Sequence, residues 1–203
     1  MNESRWLDLM ERLGFESNLE TYSKLQSHYG ENYRHYHNSS HIDATLKYLD
    51  QSKKSLANDY DALEVALWFH DAIYKIFSSS NELDSANWAS EFLKSNNSNE
   101  DFINKVHRLI MSTLHNAMPC DNDESLIVDI DLSILGCSVE LSRKFEACVR
   151  KEYKLIPAFI YRKNRKEILK GFLARERIYS HEYFFDKFEG PARRNLRNAI
   201  NNL

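Results

Sequence analysis

Apolar residues recur at three- and four-residue steps along most of this chain, the period of amphipathic α-helices. Trp6, Leu9, Met10 and Leu13 make one stripe, stopped by Gly14, and Leu19, Tyr22, Leu25 and Tyr29 make a second, stopped by Gly30. A glycine just past a stripe is a helix stop signal. After a loop-like stretch, Ser40 with Asp43 reads as a capping box that starts a helix at His41, and Ile42, Thr45, Leu46 and Leu49 continue its buried face. A further helix is predicted from Asp61 to Ile76, with Leu63, Leu67, His70 and Tyr74 on one face and the doublet His70–Asp71 in its middle.

Helices carrying Leu83 to Phe92 and Phe102 to Thr113 follow, separated by the polar break 95–99. The segment from Asp123 to Leu135 fits a strand at Leu126-Ile127-Val128 or a buried helix ended by Gly136. Helix is preferred because nothing nearby reads as a pairing strand. Three more helices are expected, from Val139 to Tyr153, from Arg162 to Glu176 and from Pro191 to Asn201, with Pro191 in the first turn of the last. The expected fold is an all-α bundle of about nine or ten helices, read with the usual boundary error of about 2–4 residues. Its 203 residues suit a single domain spanning 1–203, with a helical extension over about 160–203.

Composition sharpens this reading. Five glycines and three prolines are too few for a β-rich protein with many tight turns. Hydrophobic residues at 42% and charged residues at 28% describe a cored domain rather than a disordered chain. A net charge of −3, from 27 basic and 30 acidic residues, gives no support to nucleic-acid or broad membrane-surface binding. The basic run 161–166 reads as a solvated helix start. Cys120, Cys137 and Cys148 are odd in number and lack C-x-x-C spacing, which favours neither a disulfide framework nor a zinc ribbon. A reducing, cytoplasmic setting is the expectation. The first residues do not read as a signal peptide, and no run of about 18 apolar residues is present to span a membrane.

The chemistry concentrates around His70–Asp71, set in the apolar run Ala66-Leu67-Trp68-Phe69-His70-Asp71-Ala72-Ile73-Tyr74. Two polar side chains there are costly to bury without a partner, and a cation satisfies both. Candidate co-ligands lie upstream in Arg34-His35-Tyr36-His37-Asn38-Ser39-Ser40-His41 and downstream in Val128-Asp129-Ile130-Asp131-Leu132. His41, His70, Asp71 and Asp131 taken together form a set of two imidazoles and two carboxylates. Such a set suits Mn, Fe, Co, Ni or Zn better than Cu(I), with Mg admissible. Open coordination positions would take water and a substrate oxygen, acidifying the one and polarising the other.

The strings R-H-Y-H-N-x-x-H ending at His41, W-F-H-D-x-x-Y ending at Tyr74 and D-x-D-L-S-I-L-G ending at Gly136 resemble the H…HD…D signature of the HD superfamily of metal-dependent phosphohydrolases. They are most similar to a bacterial subgroup of predicted HD-superfamily phosphohydrolases. Asn81-Glu82-x-x-Ser85-Ala86 and Glu189-x-x-Ala192-Arg193-x-Asn195-Leu196 extend the likeness over nearly the whole chain. Lys75 departs from it, standing where the subgroup often has an acidic residue, which bears on the substrate-facing rim. The resemblance implies an all-helical fold with the metal between core helices. It favours Asp131, which is followed by Leu132, over Asp129 as the fourth ligand. Asp129 then caps a helix or orients a ligand histidine.

Glu82 is either a general acid or base or a charge at a helix N-terminus, and His115 either lines the site, binds a second metal or caps a helix. Arg34, His37 and Tyr74 are candidate substrate contacts, Arg34 through its planar fork. The expected activity is hydrolysis of a small phosphate ester, a nucleotide among the candidates, with a homodimer through a helical face as a possible assembly. The competing readings are an HD-fold di-iron oxygenase, which needs more ligands, and a non-catalytic module that binds a nucleotide or a partner. The chain has neither a Gly-rich phosphate loop nor a G-x-S-x-G elbow.

Overall fold

A computed structural model describes residues 1–52 and 56–203. Among these the chain is all-helical, with ten α-helices, one 3-10 turn and no strand. It divides into two compact units, Met1–Val128 and Asp129–Leu203. No helix among the described residues is long and apolar enough to cross a membrane.

The first unit holds α1 (Glu3–Leu13), α2 (Leu19–Tyr29), α3 (Ser39–Gln51), α4 (Tyr60–Phe69), α5 (Asn81–Ser95), α6 (Glu100–Ser112) and most of α7 (Asn122–Asp131). Helix α4 is its centre, and α1, α3, α5 and α6 pack against it. Every residue from Ala62 to Phe69 is buried, as expected of a helix that is apolar nearly all round. Glu64 is the exception in chemistry and not in burial. Its carboxylate accepts from Arg5 Nε at 2.6 Å and Arg12 Nη2 at 2.5 Å, so two cations from α1 neutralise a charge that could not stand alone in the core. Beside it Trp6 packs edge-on to Trp68 with ring centroids 5.5 Å apart, and Phe69 stacks on Phe92 at 5.4 Å.

Helices α1 and α2 end at the glycines the periodicity marked, and Gly14 adopts the left-handed backbone with φ of 71°. Three boundaries differ from expectation. The cap of α3 is Asn38, whose side chain accepts from Ser40 N, so the helix starts two residues before His41. Helix α4 stops at Phe69, which places His70–Asp71 at its C-terminal end and not in mid-helix. Pro191 lies well inside α10 (Glu182–Asn202), not in its first turn, because the anchored lead-in around His181 starts the helix earlier. The proline removes one ladder bond without ending the helix.

The second unit holds the end of α7, a 3-10 turn (Leu132–Gly136), α8 (Val139–Glu152), α9 (Ala158–Ala174) and α10. Asp129 is fully buried and its carboxylate accepts from Ser180 N, His181 N and His181 Nδ1, all at 2.8–2.9 Å. Three donors on one carboxylate tie the end of α7 to the start of α10. The 3-10 turn lies against α10, where Asn195 Nδ2 donates to the carbonyls of Leu135 and Cys137. Gly136 faces Phe188 so closely that an added Cβ would fall 2.5 Å from Phe188 Cβ and 2.8 Å from its carbonyl oxygen. The glycine is there for this approach as well as for stopping a helix. Gly136→Ala is expected to cost about 1–3 kcal/mol by overpacking, read as a lower urea midpoint at unchanged slope. An unchanged midpoint would show that α10 yields at no cost.

Candidate metal centre

Three side chains converge in the first unit. His41 sits in the first turn of α3, His70 caps α4 and Asp71 follows it in the turn. His41 Nε2 and His70 Nε2 are 3.1 Å apart, and Asp71 Oδ2 lies 3.3 Å from the first and 3.2 Å from the second. Both histidines are buried. Donors held about 2.0–2.1 Å from one transition-metal ion at neighbouring positions stand about 2.9–3.4 Å from each other. All three edges of this triangle fall in that range.

The protonation pattern agrees with a cation site. His70 Nδ1 lies 3.0 Å from the Leu67 carbonyl. A carbonyl only accepts, so Nδ1 carries a proton and Nε2 is the ring nitrogen that faces the cluster. Burial alone would push the Asp71 carboxyl up. The imidazoles of His70, His37 and His41 outweigh it and hold Asp71 well below the usual carboxylate range. Lone pairs and a carboxylate oxygen within 3.3 Å of one another need a proton or a cation among them. The donor set of two imidazoles and one carboxylate is that of borderline divalent ions.

Helix α4 presents these groups because of how it ends. The last carbonyls of a helix have no intrahelical partner. Here Leu67 O receives His70 Nδ1, Trp68 O receives the Tyr29 hydroxyl at 3.0 Å, and Phe69 O receives Ala72 N at 2.8 Å. Beyond them Arg34 donates from Nη1 to Asp71 O at 2.6 Å and from Nη2 to Ala72 O at 2.9 Å. Its Nη1 also reaches His37 O, and its Nε donates to Glu31. The Arg34 side chain is fully buried, and its guanidinium lies over the rings of Tyr29 and Tyr74 at 5.3 and 5.5 Å. The expectation that Arg34 grips a substrate phosphate is therefore corrected. Its fork is committed to backbone carbonyls, and it is a positioning residue for Asp71.

His37 and Tyr74 do come together, stacked with centroids 4.3 Å apart and planes 25° apart, and Tyr36 packs on His41 at 4.8 Å. Glu82 stands half-buried in the acidic first turn of α5. His115 follows α6 with a left-handed φ of 57°. Among the described residues, neither belongs to the group of donor atoms lying within 4.8 Å of one another, which His41, His70 and Asp71 make up. Asp131 ends α7, half-buried, in the second unit. Asp129, also in that unit, is taken up by the lead-in to α10, which is the capping alternative, and the histidine it holds is His181. Sequence reasoning missed Tyr29 and the role of Arg34. Their only signal was that both lie on the segment leading into His41.

Comparisons with protein-family models, with curated proteins and with solved structures find no match to this chain.

Two outcomes follow from this geometry. Divalent metal affinity, measured by calorimetric titration between pH 8 and pH 5, is expected to fall once the pH drops below about 6.5, where free imidazoles take up protons. Asp71, held low, stays ionised through that range and contributes nothing to the fall. An affinity unchanged at pH 5 would remove the histidines from the site. Arg34→Lys keeps the charge and loses the fork, and is expected to weaken metal binding about 10–100-fold in protein whose circular dichroism is unchanged. Full affinity in the folded variant would reduce Arg34 to a packing role.

Proposed function

We propose that this chain is a metal-dependent phosphohydrolase acting on a small phosphate ester, with His41, His70 and Asp71 among the ligands of a divalent transition-metal ion. The observation that carries the reading is the triangle of donor atoms with edges of 3.1–3.3 Å, built from one imidazole of fixed tautomer, a second imidazole and a carboxylate held in its ionised form. The likeness of the surrounding strings to the HD-superfamily signature supports it.

A divalent ion at such a site supplies Lewis acidity and acidifies water. The chain's own residues do the rest. The Leu67 carbonyl keeps the His70 proton on Nδ1, away from the cluster. Arg34 fixes the backbone of Asp71, so the carboxylate does not swing out when a substrate anion approaches. The stacked pair of His37 and Tyr74 offers an imidazole and a phenol to a substrate beside the cluster. Glu82 and His115 are the groups proposed to move the proton to the leaving oxygen.

The test is metal content by plasma mass spectrometry on untagged protein, followed by turnover of p-nitrophenyl phosphate and a nucleotide panel. Wild type is expected to carry near-stoichiometric divalent metal and to release phosphate. Asp71→Ala and His70→Ala are expected to lose the metal, with turnover down by about a hundredfold or more. Iron with oxygen consumption and no phosphate release would move the assignment to an oxygenase. Metal present with no turnover of any kind would move it to a binding module.

A further inference from the structure

The second unit carries a cleft of about 360 Å³ walled by α8, α9 and the C-terminal part of α10. That volume lies within the range of about 300–1,000 Å³ typical of small-molecule sites. Its apolar lining is aliphatic and aromatic, from the exposed Val139, Ala147 and Ala158 and the buried Tyr161. Its charged side chains are mostly basic. Arg143, Arg150 and Arg162 border it, and the acid there, Glu146, is already held in a bidentate pair by Arg165 at 2.7 and 3.0 Å.

The three arginines differ in role. Arg150 is fixed, donating to the carbonyls of Tyr153 and Ile156 with its guanidinium 4.8 Å above the Tyr161 ring. Arg143 and Arg162 are exposed, and neither has a carboxylate partner among the described residues. The cleft therefore brings two exposed guanidinium groups without ion pairs together on a chain whose net charge is −3. Tyr161, which lines it and is only 6% exposed, has a buried hydroxyl with no hydrogen-bond partner among the described residues. An apolar floor rimmed by free guanidinium forks excludes a metal ion and gives a fully hydrated inorganic anion nothing to bury.

We propose that this cleft binds a small amphipathic organic anion, its apolar body on the floor and its head between Arg143 and Arg162. The site is independent of the metal cluster and of the hydrolase reading.

The test is isothermal titration of the full chain with 1-octanesulfonate below its micelle concentration, a probe with no ester to hydrolyse. Inorganic sulfate and 1-octanol serve as probes of each property alone. Octanesulfonate is expected to bind, with sulfate and octanol each weaker by about tenfold or more. The double variant Arg143→Gln/Arg162→Gln alters two exposed, unpartnered side chains and is expected to weaken binding by about tenfold. Ala147→Trp, at an exposed position on the cleft wall, is expected to do the same by filling it, whereas Asp71→Ala should bind as wild type does. Equal affinity for sulfate, or unchanged affinity in both cleft variants, overturns the proposal. Binding to phosphatidylglycerol vesicles with none to the monomeric sulfonate overturns it as well, in favour of a membrane contact.

Discussion

The carbonyls at the end of α4 are the constraint on which the candidate site depends. A buried helix must satisfy its last carbonyls without water, and this one does so with a histidine ring, a tyrosine hydroxyl and a tight turn. The backbone just past it is held by a buried arginine. Each of those partners does a second job. His70 fixes its own tautomer by bonding Leu67, and Arg34 locks the peptide that carries the Asp71 carboxylate. The C-terminal end of a helix also carries partial negative charge, which favours cations. Fold and site are thus one arrangement, and a substitution that frees a carbonyl here loosens a ligand as well.

That dual use explains which parts were legible in the sequence. The stripes of α1 and α2, their glycine stops and the choice of helix for α7 are local patterns that three- and four-residue spacing reports directly. The His70–Asp71 doublet stood out because polar groups in an apolar run need a partner. What the spacing could not report was where α4 ends. The apolar period continues through Tyr74, yet Arg34, some forty residues earlier in the chain, offers bonds to Asp71 O and Ala72 O that a continuing helix would have used itself. The turn lets Asp71 Oδ2 approach His70 Nε2 to 3.2 Å. The same limit applies to Pro191, where the lead-in tied to Asp129 overrides a local preference for the first turn.

Burial decides the meaning of the arginines. Any arginine carries a planar fork suited to a phosphate, and the sequence reading gives that role to Arg34 alone of Arg34, Arg143 and Arg162. Arg34 is sealed among Tyr29, Tyr74 and backbone carbonyls, so its charge supports structure. Arg143 and Arg162 stand exposed over the cleft with no ion-pair partner among the described residues, so theirs remains open to a ligand. The run 161–166 read as a solvated helix start, and most of it is solvated, but Tyr161 and Arg165 turn inward. Arg165 pairs with Glu146, and that leaves no acidic side chain of the cleft lining free for Arg143 or Arg162.

The fold treats its inward carboxylates in two ways, and the difference bears on what each is for. Asp129 and Glu64 are satisfied by the protein: three N–H donors surround the first and two guanidinium groups the second. Asp71 is ringed instead by the imidazoles of His70, His37 and His41, which hold it well below the usual carboxylate range. A structural carboxylate acquires fixed donors, because a buried charge without them is strongly destabilising. One faced by lone pairs is stable only with something positive between them. Of these three acids, Asp71 is therefore the one whose partners could also share it with a cation.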